Sequence, residues 1–328
     1  MKYYATFGPA CCSPDILEKI VSMGTDGFRL NLSHGKLEDR LDWINNLRSV
    51  CEKMQKNVEI ILDIKGSESR IVTSKILKIK KGDLIQFSPE ESSEIKIDYE
   101  VFSIVEESDI LSVDDGRFLF EVIEKRNNYL IAKSMGEGVL LNLKSISVRG
   151  KEIDLPLLSP IDIENLKIAK KLNIQSVMQP FVKSKSDVEF LRDKMKRLGF
   201  DNPYIYAKIE EINGVKNVRE ISKVSDVVVI ARGDLGNNMG ILLVPKIQKE
   251  LSKILFEEKS EFMVVTEMLT SMLDSEIPTR GELNDIYNSV LDGCTHLMLT
   301  KETAIGKYPD KAMEFLIKEA EIGYEKFI

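Results

Sequence analysis

The chain has 328 residues, 43% hydrophobic and 30% charged, proportions of a soluble globular protein able to bury a sizeable core. Its net charge of −7 leaves no surplus of Lys and Arg to neutralise a nucleic-acid backbone, although a small phosphorylated ligand needs only a local basic pocket. No apolar stretch approaches the ~18 residues of a membrane span, the start MKYYATFGPACC lacks a signal peptide's apolar segment, and Cys11, Cys12, Cys51 and Cys294 show no metal-ligand spacing; a cytoplasmic protein with reduced thiols is expected.

Taken in chain order, short apolar runs recur at 3–9, 27–33 and 59–66, and again at 175–181, 204–210, 226–234, 262–268 and 296–302. Amphipathic segments such as PDILEKIVSMG, KLEDRLDWINNLRSVCEKM, SDVEFLRDKMKRLG and VPKIQKELSKILFEE separate most of them. Continuous apolar strands alternating with helical periods imply parallel strands covered by helices. Eight such units predict an α/β fold of the (β/α)₈ TIM-barrel type, whose size of about 250 residues fits what remains after one interruption is set aside.

That interruption spans 71–150, after the third strand. KILKIKKGDLIQFS, DILSVDDGRFLFEVIEK, NYLIAKSM and GVLLNLKSISVRG alternate like short antiparallel strands with polar turns. The expected organisation is therefore barrel strands 1–3 in 1–70, a small all-β domain inserted at 71–150, and strands 4–8 in 151–328. Such an insert, on the face where barrels carry their active sites, is placed to act as a lid.

Residues at the C-terminal ends of barrel strands converge, so the polar side chains there are expected to form one site. Strand two ends with Arg29, Asn31, Ser33 and His34. Strand three offers Asp63 and Lys65, then Glu68 and Arg70; strand five Lys208 and Glu210; strand six Arg232 and Asp234; strand seven Thr266 and Glu267; strand eight Lys301 and Glu302. Glu210 and Asp234, from adjacent strands, are hard oxygen ligands suited to Mg²⁺ or Mn²⁺. Arg29, Arg70 and Lys208 suit phosphoryl oxygens. Exposed amides in GDLG (233–236) can hold a carboxylate or phosphate, and Asn31, Ser33 and Asp63 form a reasonable cage for a monovalent cation. By itself Lys-x-Glu reads as a surface salt bridge and GDLG as a turn; their concentration at one end of the strands points to a phosphate-and-metal site. Nothing resembles a Ser–His–Asp triad, a zinc set or a Walker loop, and His296 and Trp43 read as structural.

FRLNLSHG (28–35), ILDIKGSESR (61–70), AKIEEINGV (207–215), IARGDLG (230–236), VTEMLTSM (265–272), PTRGELNDIYNSVLDG (278–293) and ETAIGKYP (302–309), in this order, resemble the successive signatures of pyruvate kinases. TFGPA (6–10) and VDDG (113–116) fit as well. The resemblance implies phosphoryl transfer between phosphoenolpyruvate and ADP, giving pyruvate and ATP in glycolysis. Arg29 and Lys208 would hold the phosphoryl group, with Arg70 a further phosphate contact. Glu210 and Asp234 would bind the divalent metal, and Asn31, Ser33, Asp63 and the Ile64 carbonyl K⁺. Thr266, with water, would help protonate the enolate, and the amides around Gly233 and Asp234 would receive the substrate carboxylate. His34, Arg70 and Lys144 would face the nucleotide, and Asp114 or Asp115 would come down with the lid.

Departures from the family pattern bear on the nucleotide side. The family's SGETAKG reads TKETAIG, putting Ile305 where a Lys is normal, and its ATQM reads VTEM, putting Glu267 beside Thr266. The family's C-terminal effector domain has no counterpart in these residues, so a monomer or homodimer without family-style allostery is expected. Two alternatives stay open: a paralogue with another phosphoryl acceptor or 2-oxo acid lyase or decarboxylase chemistry, and a non-catalytic regulatory paralogue.

Overall fold

The computed structural model describes residues 1–325 except 34, 67, 115 and 152. The chain divides into two compact units: Met1–Gly66, Leu158–Arg232 and Lys246–Ile328 form the first, Ser67–Leu157 and Gly233–Pro245 the second.

The strands of the first unit are β1 (Lys2–Thr6), β2 (Gly27–Asn31) and β3 (Glu59–Asp63). Those of the second are β4 (Leu77–Ile79), β5 (Leu84–Phe87), β6 (Ile110–Val113), β7 (Phe118–Lys125), β8 (Leu130–Ser134), β9 (Gly138–Leu140) and β10 (Ile146–Val148). The first unit resumes with β11 (Ser176–Gln179), β12 (Tyr204–Ile209), β13 (Val227–Ala231), β14 (Phe262–Val265) and β15 (His296–Met298). Its eight strands close into a parallel barrel in the order β1-β15-β14-β13-β12-β11-β3-β2, the (β/α)₈ architecture that the alternating apolar runs predict. β13, VVVIA, is buried throughout, as a strand covered on both faces must be. Tyr4, Ile61, Met178, Tyr206, Val227, Val229, Ala231, Met263, Val265 and Met298 pack into a core inside the barrel.

The covering helices carry their own start signals. Ser159 caps helix Pro160–Lys171 and Thr279 caps helix Arg280–Leu291, each accepting from the amide three residues on while Asp162 and Glu282 reach back; both are capping boxes readable as S-x-x-D and T-x-x-E. Leu17, Ile20 and Val21 bury one face of helix Pro14–Ser22, and Ile247, Leu251 and Leu255 one face of helix Val244–Glu257. Gly8 has no side-chain option: a Cβ there would sit 2.1 Å from the Ala304 carbonyl oxygen. Among the described residues no helix is long and apolar enough to cross a membrane.

Within the second unit, β10-β6-β7-β8-β5 form an antiparallel sheet and β4-β9 a two-stranded one. Phe87, Phe118, Phe120, Val122 and Leu130 belong to its core, with the Phe87 and Phe120 rings edge to face at 5.3 Å. The segment is not purely β, because Tyr99–Ile104 is helical; YEVFSI buries Val101 and Phe102 on one side of that short turn.

The barrel strands are shorter than the apolar runs that announce them, and the loss falls mainly at the C-terminal ends. The run 27–33 yields a strand ending at Asn31, 59–66 one ending at Asp63, and 226–234 one ending at Ala231. Beyond those points the backbone bonds elsewhere: the Ser33 amide donates to Asn31 Oδ1 at 2.9 Å and the Lys65 amide to Asp162 Oδ1 at 2.9 Å. GDLG (233–236) lies in the opening turns of helix Arg232–Met239, directly after β13.

Candidate active site

Four charged side chains meet at the C-terminal mouth of the barrel. β2 and β3 pair with Arg29 opposite Ile61 and Asn31 opposite Asp63, which lets Arg29 lean on the carboxylate that ends the next strand. Its Nε and Nη2 stand 2.7 and 2.5 Å from Asp63 Oδ2, and its Nη1 donates to Thr6 Oγ1 at 3.2 Å. Thr6 Oγ1 in turn donates to the Leu299 carbonyl at 2.9 Å, tying Arg29 to the ends of β1 and β15. From β12, Lys208 Nζ lies 2.7 Å from Glu210 Oε1 and 3.5 Å from Asp63 Oδ1. Glu210 Oε2 accepts the Phe181 amide at 2.8 Å, where Phe181 takes a φ of 53° just past β11.

Burial makes this cluster matter. Glu210 is 0% and Asp63 1% exposed, and the Lys208 and Arg29 side chains keep only 12% of their surface. Two cations and two anions so far from solvent are each paid for by their neighbours, so removing one strands another. Charge-assisted bonds of this length are among the stronger polar contacts a protein makes. An ammonium seated between two carboxylates also marks a place where positive charge is favoured.

Thr266 follows β14 with φ 71°, and Glu267 with φ 54°. The Thr266 hydroxyl donates to the Val265 carbonyl at 2.6 Å. Its carbonyl accepts from Arg232 Nε at 3.0 Å and from Arg232 Nη2, while Arg232 Nη1 is held by Asp285 Oδ1 and Oδ2 at 2.8 and 2.6 Å. Arg232, counted among the strand-end cations in the sequence, therefore turns its donors onto the backbone of Thr266 and onto Asp285. Glu302 is likewise a buried brace, accepting the Thr300 amide at 2.9 Å and the Leu269 amide at 3.3 Å.

The remaining residues fall as follows. Asn31, the last residue of β2, accepts the Ser33 amide just beyond the strand, and the Ile64 amide donates to the Met178 carbonyl at 3.2 Å, fixing the exit of β3. In the second unit Arg70 pairs with Glu68 and donates to the Leu143 carbonyl at 2.6 Å. Lys144 Nζ is 2.8 Å from Asp114 Oδ1, and Asp114 holds a φ of 55°. Gly233 and Asp234 lie in the first turn of helix Arg232–Met239. His34 and Asp115 lie outside the described residues.

The family model for the pyruvate kinase barrel domain matches residues 1–313. The chain belongs to the pyruvate kinase family. It is 37% identical to the pyruvate kinase of Aeropyrum pernix over 99% of this chain and 71% of that protein, and 34% identical to that of Chlamydia muridarum over 99% of this chain and 69% of that protein. Among solved structures, pyruvate kinase from Pyrobaculum aerophilum superposes with a TM-score of 0.91 at 31% identity, over 98% of this chain and 73% of that one. The chain is accordingly a pyruvate kinase-like phosphotransferase.

Membership of the pyruvate kinase family raises the question of whether these residues fit a metal. Among the described residues no three Asp, Glu, His or Cys side chains gather into an all-protein cage. Mg²⁺ does not require one, since it commonly takes one or two carboxylates and completes its shell with water and phosphate. The buried Glu210 carboxylate, already facing a cation, fits that chemistry.

Sequence reasoning passed over two sets of polar residues. Asp285 lay inside a family signature, yet nothing in its neighbourhood of sequence indicated an arginine 53 residues away. At the opposite end of the strands, Glu59 accepts from the hydroxyls of Tyr4 at 3.0 Å and Tyr206 at 2.8 Å, and from Ser176. Burial, then the Glu59 charge, raises the pKa of both tyrosines. Tyr206 stands two residues before Lys208, so β12 sends polar groups to both ends of the barrel.

Proposed function

We propose that this pyruvate kinase family member transfers the phosphoryl group of phosphoenolpyruvate to ADP, yielding pyruvate and ATP, with Mg²⁺ or Mn²⁺ and K⁺ as cofactors. The observation that carries this reading is the buried Arg29–Asp63–Lys208–Glu210 cluster at the barrel mouth, in a chain of this family. Phosphoryl transfer asks for positioning and charge neutralisation rather than covalent chemistry, and the cluster supplies both.

Lys208 and Arg29 hold the phosphoryl oxygens, and their ties to Glu210 and Asp63 orient them beforehand. Glu210 is the buried carboxylate that receives the divalent metal, which when bound neutralises charge on the transferring group. Asn31, Ser33, Asp63 and the Ile64 carbonyl offer hard oxygens for K⁺. Thr266, with water, delivers the proton that converts the enolate of pyruvate to its keto form. Arg70, Lys144, Asp114, Gly233 and Asp234 keep the roles that the family resemblance assigns them. The same reading makes the protein a cytoplasmic monomer or homodimer whose ligands are small and phosphorylated.

A coupled assay with Mg²⁺ and K⁺ tests the proposal. Purified protein forms pyruvate from phosphoenolpyruvate and ADP, and Lys208→Ala abolishes the rate. Absence of pyruvate formation by the wild type overturns it.

A further inference from the structure

Thr266 is an unusual residue to find where it is. A β-branched side chain at φ 71° is a genuine backbone outlier, and Glu267 beside it repeats the left-handed conformation at φ 54°. Each such residue costs on the order of 1–3 kcal/mol and persists only where its surroundings over-determine it. The surroundings here are a guanidinium, 8% exposed, that directs two donors at the Thr266 carbonyl.

The guanidinium is itself held. Asp285, on helix Arg280–Leu291, accepts from Arg232 Nη1 with both carboxylate oxygens. Gln248 Oε1 stands 3.4 Å from the same nitrogen, and Gln248 Nε2 is 3.4 Å from Ser289 Oγ. Ser289 Oγ donates to the Asp285 carbonyl at 2.9 Å. Two outer helices thus grip the side chain that directly follows β13, so that it fixes the backbone leaving β14. This guanidinium gives its donors to the neutral Thr266 carbonyl and to the Asp285 carboxylate.

We propose that Asp285 and Arg232 are positioning residues for proton transfer: they hold the Thr266 backbone left-handed and so set the direction of its hydroxyl. This rests on the function proposed above, in which Thr266 serves the enolate. In that step the Thr266 O–H bond breaks as the C3–H bond of pyruvate forms, and water returns a proton to the hydroxyl. Phosphoryl transfer to ADP needs no proton from Thr266. Losing the Asp285 charge leaves the buried guanidinium without its counter-ion, the Thr266 carbonyl loses its clamp, and relaxation towards negative φ turns the hydroxyl away.

The two halves of the reaction separate the idea from a merely structural role. Wild type, Asp285→Asn and Arg232→Lys, each as the full chain with Mg²⁺ and K⁺, are assayed for ATP formation from phosphoenolpyruvate and ADP. The same proteins are assayed for deuterium incorporation into the methyl group of pyruvate in D₂O with ATP. The expected result is an exchange rate reduced on the order of 10- to 100-fold, the scale of a displaced catalytic group, with ATP formation reduced far less and KM for phosphoenolpyruvate within about 2-fold. Arg232→Lys keeps the buried charge but not the fork, so it reads the same ratio should Asp285→Asn fold poorly. Equal losses of exchange and ATP formation, tracking a fall in Tm, overturn the positioning role alone. A wild type that makes no ATP overturns the underlying reading as well, so the two failures are distinguishable.

Discussion

Lys208 Nζ and Glu210 Oε1 are 2.7 Å apart, joined across two residues of one chain at the end of β12. On an exposed strand such a pair contributes on the order of 0–1 kcal/mol. Here Glu210 has no exposed surface, its second oxygen is taken by the Phe181 amide, and Lys208 also faces Asp63. The pair is thus part of a buried network in which each charge depends on the others.

Removing Asp63 tests that dependence through stability. Asp63→Ala removes the carboxylate that the Arg29 guanidinium and the Lys208 ammonium share, and both of those side chains are nearly buried. A loss of about 3–5 kcal/mol is expected, read from urea unfolding. Arg29→Met combined with Asp63→Leu recovers a substantial part of it, because the uncompensated charge goes with its partner. A single-variant loss below about 1 kcal/mol would refute the network.

Glu210 provides a second test, by metal affinity. With Mn²⁺ as a spectroscopic probe, Glu210→Gln binds the metal at least roughly 100-fold more weakly than wild type, beyond the upper end of what losing an outer-sphere partner costs. The variant keeps the Phe181 contact through its amide oxygen, so circular dichroism and Tm change little by comparison. Equal Mn²⁺ affinity in the two proteins excludes Glu210 as a ligand.

His296 gives a pH signature unrelated to the site. It is fully buried on β15, its ring stacked on Tyr4 at 5.6 Å and edge-on to Tyr206, with Nδ1 2.7 Å from Thr295 Oγ1 and Nε2 3.7 Å from Glu261. Burial, then the positive charges of Lys2 and the amino terminus, hold its pKa down at about 3. The unfolded chain takes up a proton near pH 6.5 that the folded one refuses until about pH 3. This group's contribution to stability is therefore complete above pH 6.5 and is lost as the pH falls between those limits, by up to ~1.4 kcal/mol per unit. Between pH 6 and 4, wild type should lose about 2–3 kcal/mol more than His296→Gln in urea titrations. Parallel pH dependence in the two proteins would sink the assignment.

The barrel was legible because its causes are local. Apolar runs such as VVVIA at 227–231 demand burial on both faces, the S-x-x-D and T-x-x-E signals start their helices where the chain has them, and the polar residues gathered at one end of the runs named the mouth. Arg29, Asp63, Lys208 and Glu210 were readable as a group for that reason. The strand ends were overestimated, because a run of apolar letters does not reveal where a neighbouring backbone stops offering hydrogen bonds. Residue types also placed Arg232 among the polar groups at the strand ends without indicating what it binds. Its partner Asp285 lies 53 positions along, and only closure of the barrel brings helix Arg280–Leu291 against the exit of β14. Nor could composition predict that Thr266 takes a left-handed backbone, since that conformation is unfavourable for the residue itself and is imposed by contacts distant in sequence. Chemical type and periodicity thus belong to the sequence, while pairing, burial and strain are properties of the closed barrel, where long-range contacts outweigh local preference.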